Sequence, residues 1–113
     1  MTKFLISFPA SAMDVPDSDM AAVSEASRAV IREAKAAGIY VFGGGINSEV
    51  APLMVAADGN CTNETYRQTK ELDGGFCVLE LPSGEVAVYW AAKLAAACGC
   101  AQELREFYYD PES

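Results

Sequence analysis

The sequence predicts a single α+β domain, residues 1–113, whose main elements follow the order strand, helix, strand, strand, helix, strand. Its length allows one core and leaves little chain for a second domain. Four apolar runs rich in β-branched and aromatic residues have the length of strands, and they span 3–8, 39–45, 75–81 and 101–109. Two longer segments repeat apolar residues at helical spacing, and they span 17–37 and 83–98. This order predicts an antiparallel sheet with both helices on one face.

The first strand and the first helix are predicted from side-chain alternation and charge order. Residues 3–8 carry apolar side chains on both faces, which is typical of a central strand. Asp17 and Asp19 fall in the first turn of the helix, and Arg28, Arg32 and Lys35 come later, so the order of charges complements the helix dipole. Gly38 then ends the helix.

The middle of the chain predicts a second strand followed by a minor hairpin. Strand 39–45 ends in three consecutive glycines, which we interpret as a bend or a bulge beside a cavity. A phosphate-binding loop is disfavoured, because no Lys-Ser or Lys-Thr pair follows the glycines. Residues 50–57 predict a third strand at a sheet edge. Asp58 and Gly59 predict a hairpin turn into a short returning strand and a loop within 61–70.

The last third of the chain has the clearest element boundaries. Residues 75–81 form a continuous β-rich run. Ser83 is a typical N-cap for the helix that follows, and Gly99 closes that helix before the final strand, 101–109. One face of the helix is predicted to be apolar and to consist of Val86, Trp90, Leu94 and Ala97.

The helix-free face of such a sheet is predicted to be an interface. The residues expected there include apolar side chains, namely Leu5, Tyr40 or Val41, and Leu79. A contiguous exposed apolar surface is typical of an interaction site. We therefore predict a homodimer in which two sheets pack face to face.

The acidic composition narrows the classes of partner. Eight basic residues against sixteen acidic residues give a formal net charge of −8. A field of this sign repels phosphate backbones and anionic lipids, so neither nucleic acid nor a membrane is predicted as a partner. The apolar part of the N-terminal run is too short for a signal peptide, and the predicted location is cytoplasmic.

The sequence has no histidine and four cysteines, which are Cys61, Cys77, Cys98 and Cys100. Without histidine, a zinc site would need all four cysteines or help from carboxylates. A serine or cysteine hydrolase would also need an imidazole to activate its nucleophile, and this chain has none. We therefore expect reduced, metal-free thiols and no cofactor.

Several segments of the chain resemble one known family. Residues 69–80 read TKELDGGFCVLE, and they are accompanied by Ala-Asp-Gly at 57–59, Trp-Ala at 90–91 and Glu-Leu-Arg-Glu-Phe at 103–107. With these segments the chain resembles the YCII-related proteins, and most closely their subgroup named after a DGPF signature, over nearly its whole length. The resemblance implies a ferredoxin-like fold that assembles as a dimeric α+β barrel. This architecture agrees with the order of elements predicted above.

The chain departs from this family at ionisable positions. The aspartate of the DGPF signature falls on Asn63, and a glutamate usual before Thr-Lys-Glu is Gln68. A histidine that some relatives carry on the first helix falls near Ser27. An amide or a hydroxyl cannot exchange a proton near neutral pH as a carboxylate or an imidazole does. These replacements argue against borrowing an acid–base mechanism from the family.

The predicted ligand site consists of Tyr66, Lys70 and Glu71, with Arg105 or Glu103 reaching in from the last strand. Within six residues, this cluster offers an aromatic face, a cation and a carboxylate, in the region that the resemblance marks as the signature. The ordinary alternatives are a loop-edge ion pair and a loop aromatic that covers the sheet edge. The glutamate and arginine of the last strand have their own alternative, a solvent-facing pair.

Two functions fit these features, and a purely structural role is a third. The first is a dimeric barrel that binds a small ligand without catalysis. The second is a dimeric-barrel enzyme that performs isomerisation, elimination or oxygen-related chemistry on a small hydrophobic substrate. The fold does not choose between them, because such barrels host many functions. The missing histidine and the replacements at Asn63 and Gln68 favour the first.

Overall fold

The computed structural model describes residues 1–113 and contains six strands and two α-helices. In chain order these are β1 (Thr2–Phe8), α1 (Met20–Ala36), β2 (Tyr40–Gly45), β3 (Met54–Val55), β4 (Cys61–Thr62), β5 (Gly75–Leu81), α2 (Gly84–Cys98) and β6 (Glu103–Glu106). Four strands form an antiparallel sheet in the order β2-β5-β1-β6, and β3 pairs with β4 in a separate hairpin. The predicted ferredoxin-like βαββαβ fold is confirmed.

The core lies between the helices and one face of the sheet. Phe4 pairs with Leu79 across the two central strands, and both side chains are buried. Val30 of α1 and Ala91 and Leu94 of α2 are buried in the same hydrophobic cluster. Both helices therefore cover the same face, as predicted. No helix of the structure has the length and apolar character needed to cross a bilayer.

The second helix begins and ends as predicted, but its buried face is rotated by one residue. The Ser83 hydroxyl oxygen accepts a hydrogen bond from the Val86 backbone N–H at 3.3 Å, and Gly99 closes the helix with a φ of 73°. The buried residues are Ala87, Ala91, Leu94 and Cys98. Small side chains bring α2 close to its neighbours, so the larger Val86 and Trp90 pack only at the margin of the core.

The weaker strand predictions were too long. The strand predicted at 50–57 is reduced to β3, because its only partner is the equally short β4. The predicted turn is present, since the Asn60 backbone N–H donates to the Asp58 carboxylate at 3.0 Å and Gly59 has a φ of 90°. The last strand spans only Glu103–Glu106, and its residues pair with Ser7 to Phe4 of β1.

The helix-free face of the sheet is only partly as predicted. Leu5 and Val78 pair across this face and are half-buried, as expected for an apolar surface with little cover. Leu79 instead points into the core and is 1% exposed. The residues that β2 contributes to this face also differ from the prediction. A register shift between Tyr40 and Phe42 pairs Tyr40 with the core residue Leu79, and it pairs Phe42 with Val78 on the helix-free face.

Candidate functional site

Two cavities lie on opposite faces of the sheet. The helix-side cavity, of about 740 Å³, lies beneath α1 and is lined by β2, by β5 and by residues from the end of α2. The open-face cavity, of about 620 Å³, lies between the helix-free face and the segment from Gln68 to Leu72. These two cavities are the structural candidates for a ligand site.

The glycine run of β2 forms the floor of the helix-side cavity. α1 packs on α2 through Val30 and Ala34, which leaves another flank of α1 above Gly43 and Gly45. Side chains at these glycines would fill the space. A Cβ at Gly43 would lie 2.9 Å from the Tyr40 hydroxyl oxygen, whereas one at Gly45 would only make an ordinary contact. The predicted association of the glycine run with a cavity agrees with this arrangement.

Three cations of α1 line the helix-side cavity. They are Arg28, Arg32 and Lys35, and no aspartate or glutamate lines the same cavity. Arg32 forms an ion pair with Glu25, which lies two turns earlier on the same helix. The Lys35 ammonium lies 5.1 Å from the centre of the Tyr40 ring, in a cation–π contact. This edge of the cavity is therefore positively charged in an otherwise acidic protein.

The inner wall of the cavity carries a hydroxyl and two thiols. The Ser27 hydroxyl donates to the Val23 carbonyl oxygen at 2.6 Å, so its proton is already engaged within the helix. Burial raises the pKa of the Cys77 thiol to about 11, with a further contribution from Cys98. Burial also raises the pKa of Cys98 itself. Both thiols are therefore neutral near neutral pH. They form a polarisable part of the cavity wall and are not activated nucleophiles.

The predicted site residues are only partly brought together. Glu71 and Arg105 line the open-face cavity, and so does Glu103. Neither Tyr66 nor Lys70 lines it, and Tyr66 is 68% exposed. Arg105 bonds Glu103 at 3.4 Å, which corresponds to the exposed pair considered as an alternative. Ligand binding at this cluster stays a prediction.

The cationic edge of the helix-side cavity was missed as a site from the sequence. Arg28, Arg32 and Lys35 were interpreted only as charges that favour the helix dipole. Their spacing of four and three residues places them on one face of the helix, separate from the buried Val30 and Ala34. A cationic helix face that precedes a glycine-rich strand is the signal that could have found the cavity.

Comparison with known proteins identifies the fold and no closer relationship. No protein-family model and no curated protein matches the sequence. Among solved structures, the chain is similar to 5-chloro-2-hydroxyhydroquinone dehydrochlorinase (TftG) from Burkholderia phenoliruptrix AC1100, in complex with 2,5-dihydroxybenzoquinone. The match has a TM-score of 0.52 and 17% sequence identity, and it covers 97% of both chains. The two chains therefore share a fold over nearly their whole length.

Proposed function

We propose that the protein binds a small, planar organic molecule in the helix-side cavity, as a YCII-like protein of the DGPF type. The observation that carries the proposal is the open space between α1 and the glycine floor of β2, where Gly43 and Gly45 leave room for a ring. Apolar side chains from α1 and α2, including Ile31 and Leu94, supply surface for that ring. A mixed apolar and polar cavity of this kind is the usual form of a small-molecule site.

Binding without catalysis is the function that these residues support best. No carboxylate lines the cavity, and the chain has no histidine. Ser27 has its hydroxyl bonded to the helix backbone, and the Cys77 and Cys98 thiols are held neutral. The cavity thus lacks the usual groups that exchange a proton near neutral pH.

An enzymatic function is the second candidate, and one observation favours it. TftG, which shares the fold, is named as a dehydrochlorinase and is known in complex with a quinone. An enzyme of the dimeric-barrel type would carry out elimination, isomerisation or oxygen-related chemistry on a small hydrophobic substrate. Turnover of a substrate by the purified protein would favour this candidate over simple binding.

Cavity-filling variants test which cavity binds the ligand. Gly45→Phe places a ring beneath α1, and Thr69→Phe places the same ring in the open-face cavity. The probes are naphthalene-2-carboxylate and naphthalene-2-carboxamide, measured by isothermal titration calorimetry. We expect binding by the wild type, loss of binding in Gly45→Phe and retention in Thr69→Phe. The reverse pattern would place the site beside Glu71 and Arg105. Failure of both probes to bind the wild type would count against the proposal.

We also propose that the partner is a second copy of the chain, which covers the helix-free face. Leu5 and Val78 are half-buried on this face, and Phe42 is 63% exposed beside them. Covering these side chains would remove apolar surface from water, which is the main driving force of association. The barrel assembly that the YCII resemblance implies uses the same face.

Light scattering tests the dimer. At micromolar concentration we expect twice the chain mass of 12.0 kDa. Phe42→Glu is expected to shift the mass toward the monomer, because it buries an unpaired charge in the interface. The matched control is Val88→Glu, since Val88 is also an exposed apolar residue but lies on α2. A wild-type monomer, or equal effects of the two variants, would contradict the proposed interface.

A further inference from the structure

The positive edge of the helix-side cavity indicates the chemical class of its ligand. On the basis of the proposed binding function, we propose that the ligand is a small aromatic carboxylate. Its ring lies over the floor formed by Gly43 and Gly45, and its carboxylate is bound by Arg28.

The charge at this cavity is opposite to that of the whole protein. The chain has eight basic residues against sixteen acidic ones, yet three of the eight line this cavity and no acidic residue does. In a partly enclosed site, charges interact more strongly than in bulk water. A local positive field in an acidic protein selects an anion and repels a cation.

The three cations are not equally available to a ligand. Arg32 is already paired with Glu25, and the Lys35 ammonium lies against the Tyr40 ring. Arg28 takes part in none of the three ion pairs of the structure and in none of its side-chain hydrogen bonds. Its guanidinium therefore has all of its N–H donors free. A planar fork of donors matches the two oxygens of a carboxylate.

The rest of the lining favours an organic anion over a bare inorganic one. Ile31 and Leu94 line the cavity beside the cations, and the Tyr40 ring lies below Lys35. Burial of an aromatic ring against these apolar surfaces is favourable, whereas a hydrated phosphate would bury no apolar surface there. The open-face cavity differs in charge, because there Arg105 is already paired and Glu71 and Glu103 add negative charge.

Two isosteric probes distinguish the contribution of the negative charge to the affinity from the contribution of the ring. Naphthalene-2-carboxylate and naphthalene-2-carboxamide have the same ring and nearly the same shape, but only the first is charged. Isothermal titration calorimetry on the full chain is expected to give an affinity for the carboxylate about ten- to a hundredfold higher than for the amide, as expected for a hydrogen bond to a charged group. In Arg28→Gln, the carboxylate affinity is expected to fall to that of the amide, with the melting temperature unchanged because Arg28 is exposed.

The matched control is Arg105→Gln, which removes the same charge from the other cavity. It is expected to leave both affinities unchanged. Equal binding of the two probes to the wild type would overturn the carboxylate inference while the proposed binding function stands. A loss of affinity in Arg105→Gln but not in Arg28→Gln would also overturn it. If neither probe binds, the binding function itself is contradicted along with the inference.

Discussion

Gly74→Ala is expected to destabilise the protein by about 3 kcal/mol or more, because a side chain there overlaps fixed backbone. A Cβ at Gly74 would overlap the Phe8 carbonyl oxygen and would lie 2.8 Å from the Ala10 backbone nitrogen. Backbone atoms cannot rotate away as the end of a flexible side chain can. The same glycine accepts a hydrogen bond from the Ile46 N–H at 2.9 Å, so a shift of the chain would also disturb the end of β2. Urea unfolding followed by circular dichroism measures the loss.

Gly84→Ala is the matched control for this prediction. Gly84 is the first residue of α2, and a Cβ there would meet nothing within 4 Å. Alanine is favoured over glycine in a helix, so we expect a gain of about 0.5–1 kcal/mol. Similar losses of stability in the two variants would mean that the close approach of Gly74 to the end of β1 does not exist in solution.

Leu79→Ala is expected to reduce the free energy of unfolding by about 3 kcal/mol. Leu79 lies on the central strand β5, is 1% exposed and is part of the core cluster, so truncation leaves a cavity that the sheet cannot close. The control is Leu53→Ala, which makes the same chemical change at a residue that is 59% exposed. Its expected effect is within about 0.5 kcal/mol. Chemical unfolding of the two variants side by side checks the difference, and equal losses would contradict the assignment of Leu79 to the core.

The fold could be predicted because several local signals agree. Strand β5 coincides with the predicted run 75–81, and the Ser83 cap and Gly99 closure lie where the sequence placed them. Such agreement between local preference and global fold is typical of elements that form the core. The prediction that placed Leu79 on the helix-free face was wrong, because a single sequence does not show to which side an apolar strand residue points when both faces are apolar.

The ends of the minor strands and the position of the site were harder to predict. The length of β3 depends on how far its partner β4 extends, and strand propensity does not contain that information. Tyr66, Lys70 and Glu71 were grouped because they lie within six residues, and Arg105 or Glu103 was expected to reach in from the last strand. Side chains from one short loop point in different directions, so Glu71 lines the open-face cavity with Glu103 and Arg105, whereas Tyr66 and Lys70 do not. Arg28 lies on α1 and Gly45 on β2, and the two residues line one cavity only in the folded chain.

The crystal structure of the protein with naphthalene-2-carboxylate tests the central claim most directly. We expect the ring between α1 and the glycine floor at Gly43 and Gly45, with both carboxylate oxygens within hydrogen-bond distance of the Arg28 guanidinium. Density for the ring in the open-face cavity instead, beside Glu71 and Arg105, would contradict the claim.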